Sequence, residues 1–373
     1  MTQRAVVIGA GPAGLASAAC LKRAGLNVEI LEKSGSVGQS WRNHYGRLHL
    51  HTARNRSALP HLPMPEHFGR YPSRLDMVEY LETYARHFRL TPQFGTSVEE
   101  LRPDGTGWRV AHSRGATWAD HVVVAIGLNH TPFRAQLPGL ETFSGEVLHS
   151  SDYHDPSGFA GDRVMVVGFG NSGGEIALDL AEAGANVTLS VRGPVNILPK
   201  EMFGLPTTSL GLLRKLFGYR IADRLTAPLL RAKIGRPADY GLPDPGKGPI
   251  AQVVEDGRIP LIDIGTLGAI RAGKIMTRPG IRTIDGARVW FTDGQSTDLD
   301  RIVLATGYRL DLRDLLPENL DLLDEHGRPR QTGAKTGARG LYFCSLKASP
   351  EGQLRQSGMD AEAIAAEAVA RAA

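Results

Sequence analysis

Arg4-Ala5-Val6-Val7-Ile8-Gly9-Ala10-Gly11-Pro12-Ala13-Gly14 decides the fold of this chain. The first part is a short β-branched run closed by glycine, the pattern of a buried strand. The second part is G-x-G-x-x-G and opens an Ala- and Leu-rich stretch over 12–24 that reads as a helix. Asn27-Val28-Glu29-Ile30-Leu31-Glu32 reads as the next strand and completes a βαβ unit. Gly9 allows the tight strand-to-helix turn, Gly11 lets a pyrophosphate approach the backbone, and Gly14 lets helix and strand pack closely. Phosphates then rest on unpaired N–H groups at the helix start, Pro12 and Ala13 included in that turn. Glu32 closes the second strand, where a carboxylate accepts hydrogen bonds from ribose hydroxyls. The glycines alone are a weak signal. The strand, the helix and the acid around them make it strong.

The same order returns further along. Arg163-Val164-Met165-Val166-Val167-Gly168 reads as a strand, 173–184 as a helix, and Asn186 to Arg192 as a second strand. Gly168-Phe169-Gly170-Asn171-Ser172-Gly173 is the second fingerprint. Its strand ends on Arg192 rather than an acid. A carboxylate would repel a ribose 2′-phosphate, whereas an arginine pairs with it. This unit is therefore expected to take NADPH rather than NADH, with Arg271, Lys200 or Lys274 assisting. Two further apolar runs end in small residues at matching places: Val122 to Gly127, and Ile302-Val303-Leu304-Ala305-Thr306-Gly307. Two dinucleotide sites in one chain imply an oxidoreductase with two redox carriers.

The rest of the chain narrows the class. It has 373 residues, 42% hydrophobic and 22% charged, as in ordinary soluble globular proteins. The formal net charge of +4 is modest and decides little about partners. Cys20 and Cys344 lie far apart in sequence and form no C-x-x-C pair, which argues against a thiol-relay reductase and for a reducing compartment. The start has no signal-peptide shape and no apolar run reaches the ~18 residues of a spanning helix, so a cytoplasmic protein without a membrane span is expected. No metal-ligand spacing occurs; His49 and His51 have no nearby Cys or HExxH partner. There is no dense basic or aromatic platform for nucleic acid. Residues 200–255 are apolar, basic and rich in Pro and Gly, with helical stretches near 209–233. They read as an insertion, a lid or a subunit contact that would allow a homodimer, in preference to a membrane-surface element.

Between the fingerprints, Phe143-Ser144-Gly145-Glu146-Val147-Leu148-His149-Ser150-Ser151-Asp152-Tyr153 fits F-x-G-x-x-x-H-x-x-x-Y. This run resembles the identifying motif of class B flavin-containing monooxygenases. The resemblance spans nearly the whole chain and is closest to the YUCCA-type branch, which decarboxylates indole-3-pyruvate oxidatively. Arg47-Leu48-His49-Leu50-His51, Leu62-Pro63-Met64-Pro65, Pro260 to Leu267 and Ala305-Thr306-Gly307-Tyr308 carry it further. It implies an α/β fold of two Rossmann-like domains on a glutathione-reductase-like plan. The FAD domain would hold 1–155 and 310–373, and the inserted NADPH domain 156–309. It implies FAD on the first fingerprint, with Lys33, Gln39, Ser40, Trp41 and Gly127 beside it, and NADPH on the second. His149 and Tyr153 would support NADPH binding, and the 305–308 run would close that domain. The family's Gly-Gly before tryptophan is Gly38-Gln39 here, and its flavin-side Asn is replaced by His51. His51 thus becomes the candidate flavin-proximal, catalytic residue. The implied reaction is NADPH- and O2-dependent oxygenation of a small molecule through a C4a-(hydro)peroxyflavin, with an aromatic 2-oxo acid as substrate. N- or S-oxygenation, or an NADPH:acceptor flavin reductase, are the other readings.

Overall fold

A computed structural model describes residues 2–202, 204–207 and 218–371. They gather into two compact units. The first comprises Met1–Arg42, Thr52–Thr131 and Arg309–Ala373, the second Asn43–His51 and Pro132–Tyr308. The first unit is built on four parallel strands in the order Asn27–Leu31, Arg4–Ile8, His121–Val124, Leu341–Phe343. Val6, Val7, Val122, Val123 and Val124 are completely buried, so these strands are apolar throughout rather than alternating. The fingerprint helix Pro12–Arg23 covers the sheet and packs against the helix Gln353–Ala370. Its Ala16, Ala18 and Ala19 are fully buried, because small side chains let two helices and a sheet approach at once. A three-stranded antiparallel sheet (Val98–Asp104, Gly107–His112, Gly115–Ala119) completes the unit.

The second unit repeats the plan with one strand more. Five parallel strands run in the order Ile275–Arg278, Asn186–Ser190, Arg163–Val167, Arg301–Leu304, Glu146–His149. The fingerprint strand is interior in both sheets, between its βαβ mate and a strand from much later in the chain. The match extends to backbone detail. A Cβ on Gly9 would lie 2.7 Å from the Ala125 carbonyl oxygen, and one on Gly168 would lie 2.6 Å from that of Ala305. Both glycines have positive φ, +107° and +104°. The four apolar runs picked out in the sequence thus occupy equivalent pairs of positions.

Three expectations are corrected. The break near residue 155 falls earlier, because Glu146–His149 is an edge strand of the second sheet and takes 132–155 with it. Asn43–His51 also packs with the second unit, although its flanks belong to the first. The strand expected to end on Arg192 ends at Ser190. In the insertion, a helix forms over Tyr219–Ile234, and the first part of the stretch expected to be helical, 209–217, lies outside the described residues.

Gly14 and Gly11 make opposite demands. A Cβ on Gly14 would sit 1.8 Å from the Gly9 carbonyl oxygen, whereas nothing lies within 4 Å of one on Gly11. Overpacking against backbone cannot be relieved by a rotamer change, so Gly14→Ala should cost about 2 kcal/mol or more in urea unfolding. Gly11→Ala should stay within about 1 kcal/mol of wild type. Equal midpoints for the two variants would refute this account.

Candidate functional site

Both fingerprint helices begin bare. Gly11 and Gly170 are the N-caps, and neither helix start has a side-chain cap. In the first, Pro12 has no N–H to offer, and Leu15 N–H already donates to Gly11 O. The amides of Ala13 and Gly14 lie ahead of that first helical hydrogen bond and are left pointing along the axis. The second helix does likewise, with Gly174 N–H donating to Gly170 O and Ser172 and Gly173 ahead of it. Nothing lies within 4 Å of a Cβ on Gly11 or Gly170, so each loop has an open face at the positive end of a helix. These are the conditions for holding a pyrophosphate.

The first unit gathers the expected FAD residues at one end of its sheet. Glu32 is buried at the strand end. Its Oε2 accepts from Ala10 N–H (2.6 Å) and its Oε1 from the N–H and Oγ–H of Ser34 (2.8 and 2.6 Å). A carboxylate has about four acceptor positions. Three are taken, and one remains for a ribose hydroxyl. Gly38 N–H donates to Ala10 O, which brings the short helix Gln39–Asn43, with Gln39, Ser40 and Trp41, onto the fingerprint loop. Gly127, at φ +80°, has open space beside it, and Lys33 is exposed.

The second unit differs in charge. Arg192 lies exposed just beyond its strand and packs its stem against Gly280. Val191 N–H donates to Arg278 O, which sets a second arginine on the adjoining strand end. Arg278 escaped sequence reading because only the parallel pairing of Ser190 with Arg278 brings it there. Arg271 is committed elsewhere, over the Tyr240 ring at 4.8 Å and on the Ile234 carbonyl. Burial lowers the pKa of Lys200. Lys274 is exposed. Asn171 is a tie within the unit: its Nδ2–H donates to Pro260 O and its Oδ1 accepts from Ile262 N–H.

His149 and Tyr153 act as fastenings. His149 is completely buried. Its Nε2 lies 3.1 Å from Gly307 O, a pure acceptor, so Nε2 carries the proton. Nδ1 then accepts from Ser151 N–H (3.1 Å). The ring thereby holds Gly307, with Tyr308 edge-on at 5.4 Å. Thr306 donates to Phe133 O, fixing the rest of the 305–308 run. Tyr153 O–H donates to Asp179 (2.8 Å). His51 Nε2 lies 2.7 Å from Glu175 Oε1, a partner the sequence reading did not name. Both cysteines are buried and unpaired, and burial pushes the Cys20 thiol up to about 12. Neither is poised as a redox thiol. Among the described residues no group of His, Cys, Asp and Glu is placed to hold a metal ion, and no helix is long and apolar enough to cross a membrane.

Comparison with known proteins bears on this arrangement. Residues 6–200 match the sequence profile of pyridine nucleotide-disulphide oxidoreductases. The chain is 39% identical over 345 residues to indole-3-pyruvate monooxygenase YUCCA1 of Oryza sativa subsp. japonica, covering 91% of this chain and 85% of that protein. It is 38% identical over 353 residues to probable indole-3-pyruvate monooxygenase YUCCA3 of Arabidopsis thaliana, covering 90% and 80%. A flavin-containing monooxygenase from Stenotrophomonas maltophilia shares the fold, with a TM-score of 0.77 at 23% identity over 100% of this chain and 99% of that one.

Burial holds the His149 pKa below the ordinary 6.5, against the pull of its bond to Gly307. A histidine that is harder to charge when folded favours unfolding as it titrates. The stability it leaves intact above pH 6.5 therefore drains away as pH falls below that value. His149→Gln should show a shallower loss of Tm than wild type between about pH 7 and about pH 5. Parallel curves would mean that His149 titrates alike in both states.

Proposed function

The chain belongs to the YUCCA-type branch of the flavin-containing monooxygenases, and from that membership we propose that it decarboxylates an aromatic 2-oxo acid oxidatively. It is an FAD-containing, NADPH- and O2-dependent monooxygenase acting on a small molecule. The printed names of the relatives give indole-3-pyruvate as their substrate, and the aromatic 2-oxo acid is carried over from them.

One observation supports the division of labour: two units alike in backbone carry opposite charge at equivalent strand ends. Glu32, with one acceptor position left, suits the ribose of FAD. Arg192 and Arg278 suit the 2′-phosphate of NADPH. The bare amides of Ala13 and Gly14 would take one pyrophosphate, and those of Ser172 and Gly173 the other. FAD, when bound, supplies the electron transfer and oxygen activation. The chain's part is to hold and orient the two dinucleotides and to keep water from the reacting centre. In the net reaction one atom of O2 enters the shortened acid and the other leaves as water. The carboxylate departs as CO2, and NADPH supplies the two electrons. A thiol-relay reductase is disfavoured by two buried, unpaired cysteines.

Two measurements check this. Anaerobic NADPH should bleach the yellow flavin, and oxygen with indole-3-pyruvate should then release CO2 and the acid one carbon shorter, in step with NADPH consumed. Hydrogen peroxide as the sole product with every 2-oxo acid, alongside clean oxygenation of amines or sulfides, would overturn the substrate class. Arg192→Glu should raise the KM for NADPH about tenfold or more through loss of a charge-assisted contact, and that for NADH far less. Equal effects on both coenzymes would remove Arg192 from the phosphate site.

A further inference from the structure

Side chains of the excursion Asn43–His51 reach the helix that the second fingerprint opens. Arg47 Nη1 bridges Asp179 (3.2 Å) and Glu182 (2.8 Å) near its far end. Tyr45, 3% exposed, lies in the same buried core as Ile176 and Leu180 of that helix. His51 Nε2 meets the Glu175 carboxylate at 2.7 Å. Glu175 is only 2% exposed. A buried carboxylate of this kind is tolerated only if donors surround it. His51 supplies one, and Lys200 adds a nearby charge.

We propose that Glu175 is a positioning residue that orients His51 and fixes which of its ring nitrogens is left for chemistry. A carboxylate accepts and does not donate, so Nε2 must carry the proton. The ring's Nδ1 is then the atom that accepts a proton, or donates one once the ring is charged. Among the described residues no hydrogen bond reaches Nδ1. The buried acid thus does for His51 what a carboxylate does for a catalytic histidine: it sets the tautomer and locks the plane of the ring. That His51 serves a cofactor or the reaction rests on the function proposed above. That Glu175 orients it does not.

The test uses the flavin-loaded full chain labelled with 15N-histidine. Wild type should show a downfield, slowly exchanging His51 Nε2–H proton, assigned by its loss in His51→Ala. Glu175→Gln keeps the shape and an acceptor but removes the charge, and should move that signal upfield and quicken its exchange about tenfold as a charge-assisted hydrogen bond weakens. In the same variant, peroxide leaked per NADPH should rise several-fold while the KM for NADPH changes less than about twofold. Arg47→Ala loosens the same excursion without touching His51, and should leave the Nε2–H signal in place. Absence of the signal in wild type, its persistence unchanged in Glu175→Gln, or an equal loss in Arg47→Ala would each overturn the proposal. The signal is read without turnover. A wild-type chain that shows it and oxygenates nothing would sink the functional reading and leave the positioning role standing.

Discussion

Helix and strand can pack this closely in both units only because two pairs of glycines leave the space between them empty. A Cβ on Gly14 would stand 1.8 Å from the Gly9 carbonyl oxygen, and one on Gly173 would stand 2.1 Å from that of Gly168. Both gaps are closed by backbone, which cannot turn aside as a side chain can. The helix axis is therefore held against the strand end, and its first amides point into the space beside the loop. The buried valines of the two sheets, the parallel order of the strands and the open faces at Gly11 and Gly170 are all arranged around that contact.

On this shared frame the units diverge through a few polar side chains. Glu32 serves the loop before it and the turn after it while keeping an acceptor position in reserve. Its counterpart end carries arginines and no acid. The second unit also holds polar bonds that the first lacks in equivalent places: His149 on Gly307, Tyr153 on Asp179 and His51 on Glu175. Each removes a polar group from water and regains the loss only through defined geometry. Such bonds add little net stability and much directional constraint. They hold the fingerprint helix, the 305–308 run and the 43–51 excursion in one arrangement.

The parts legible from sequence were those governed by local rules. A β-branched run, a G-x-G-x-x-G turn and an Ala-rich helix announce themselves within thirty or so residues, because strand burial, turn sterics and helix propensity act over that range. The same holds for the contrast between Glu32 and Arg192, and for the motif from Phe143 to Tyr153 that pointed to a family. Tertiary structure decided what depends on residues distant in sequence. Strand Glu146–His149 joined the second sheet through parallel pairing with Arg301–Leu304, moving the boundary ahead of residue 155. Arg278 came beside Arg192 only through sheet register. The family resemblance picked out His51 in the sequence, but its partner, the buried carboxylate of residue 175, is brought to it only by folding. Local steric rules are written into neighbouring residues, whereas a hydrogen bond between positions 51 and 175 exists only once the chain has folded.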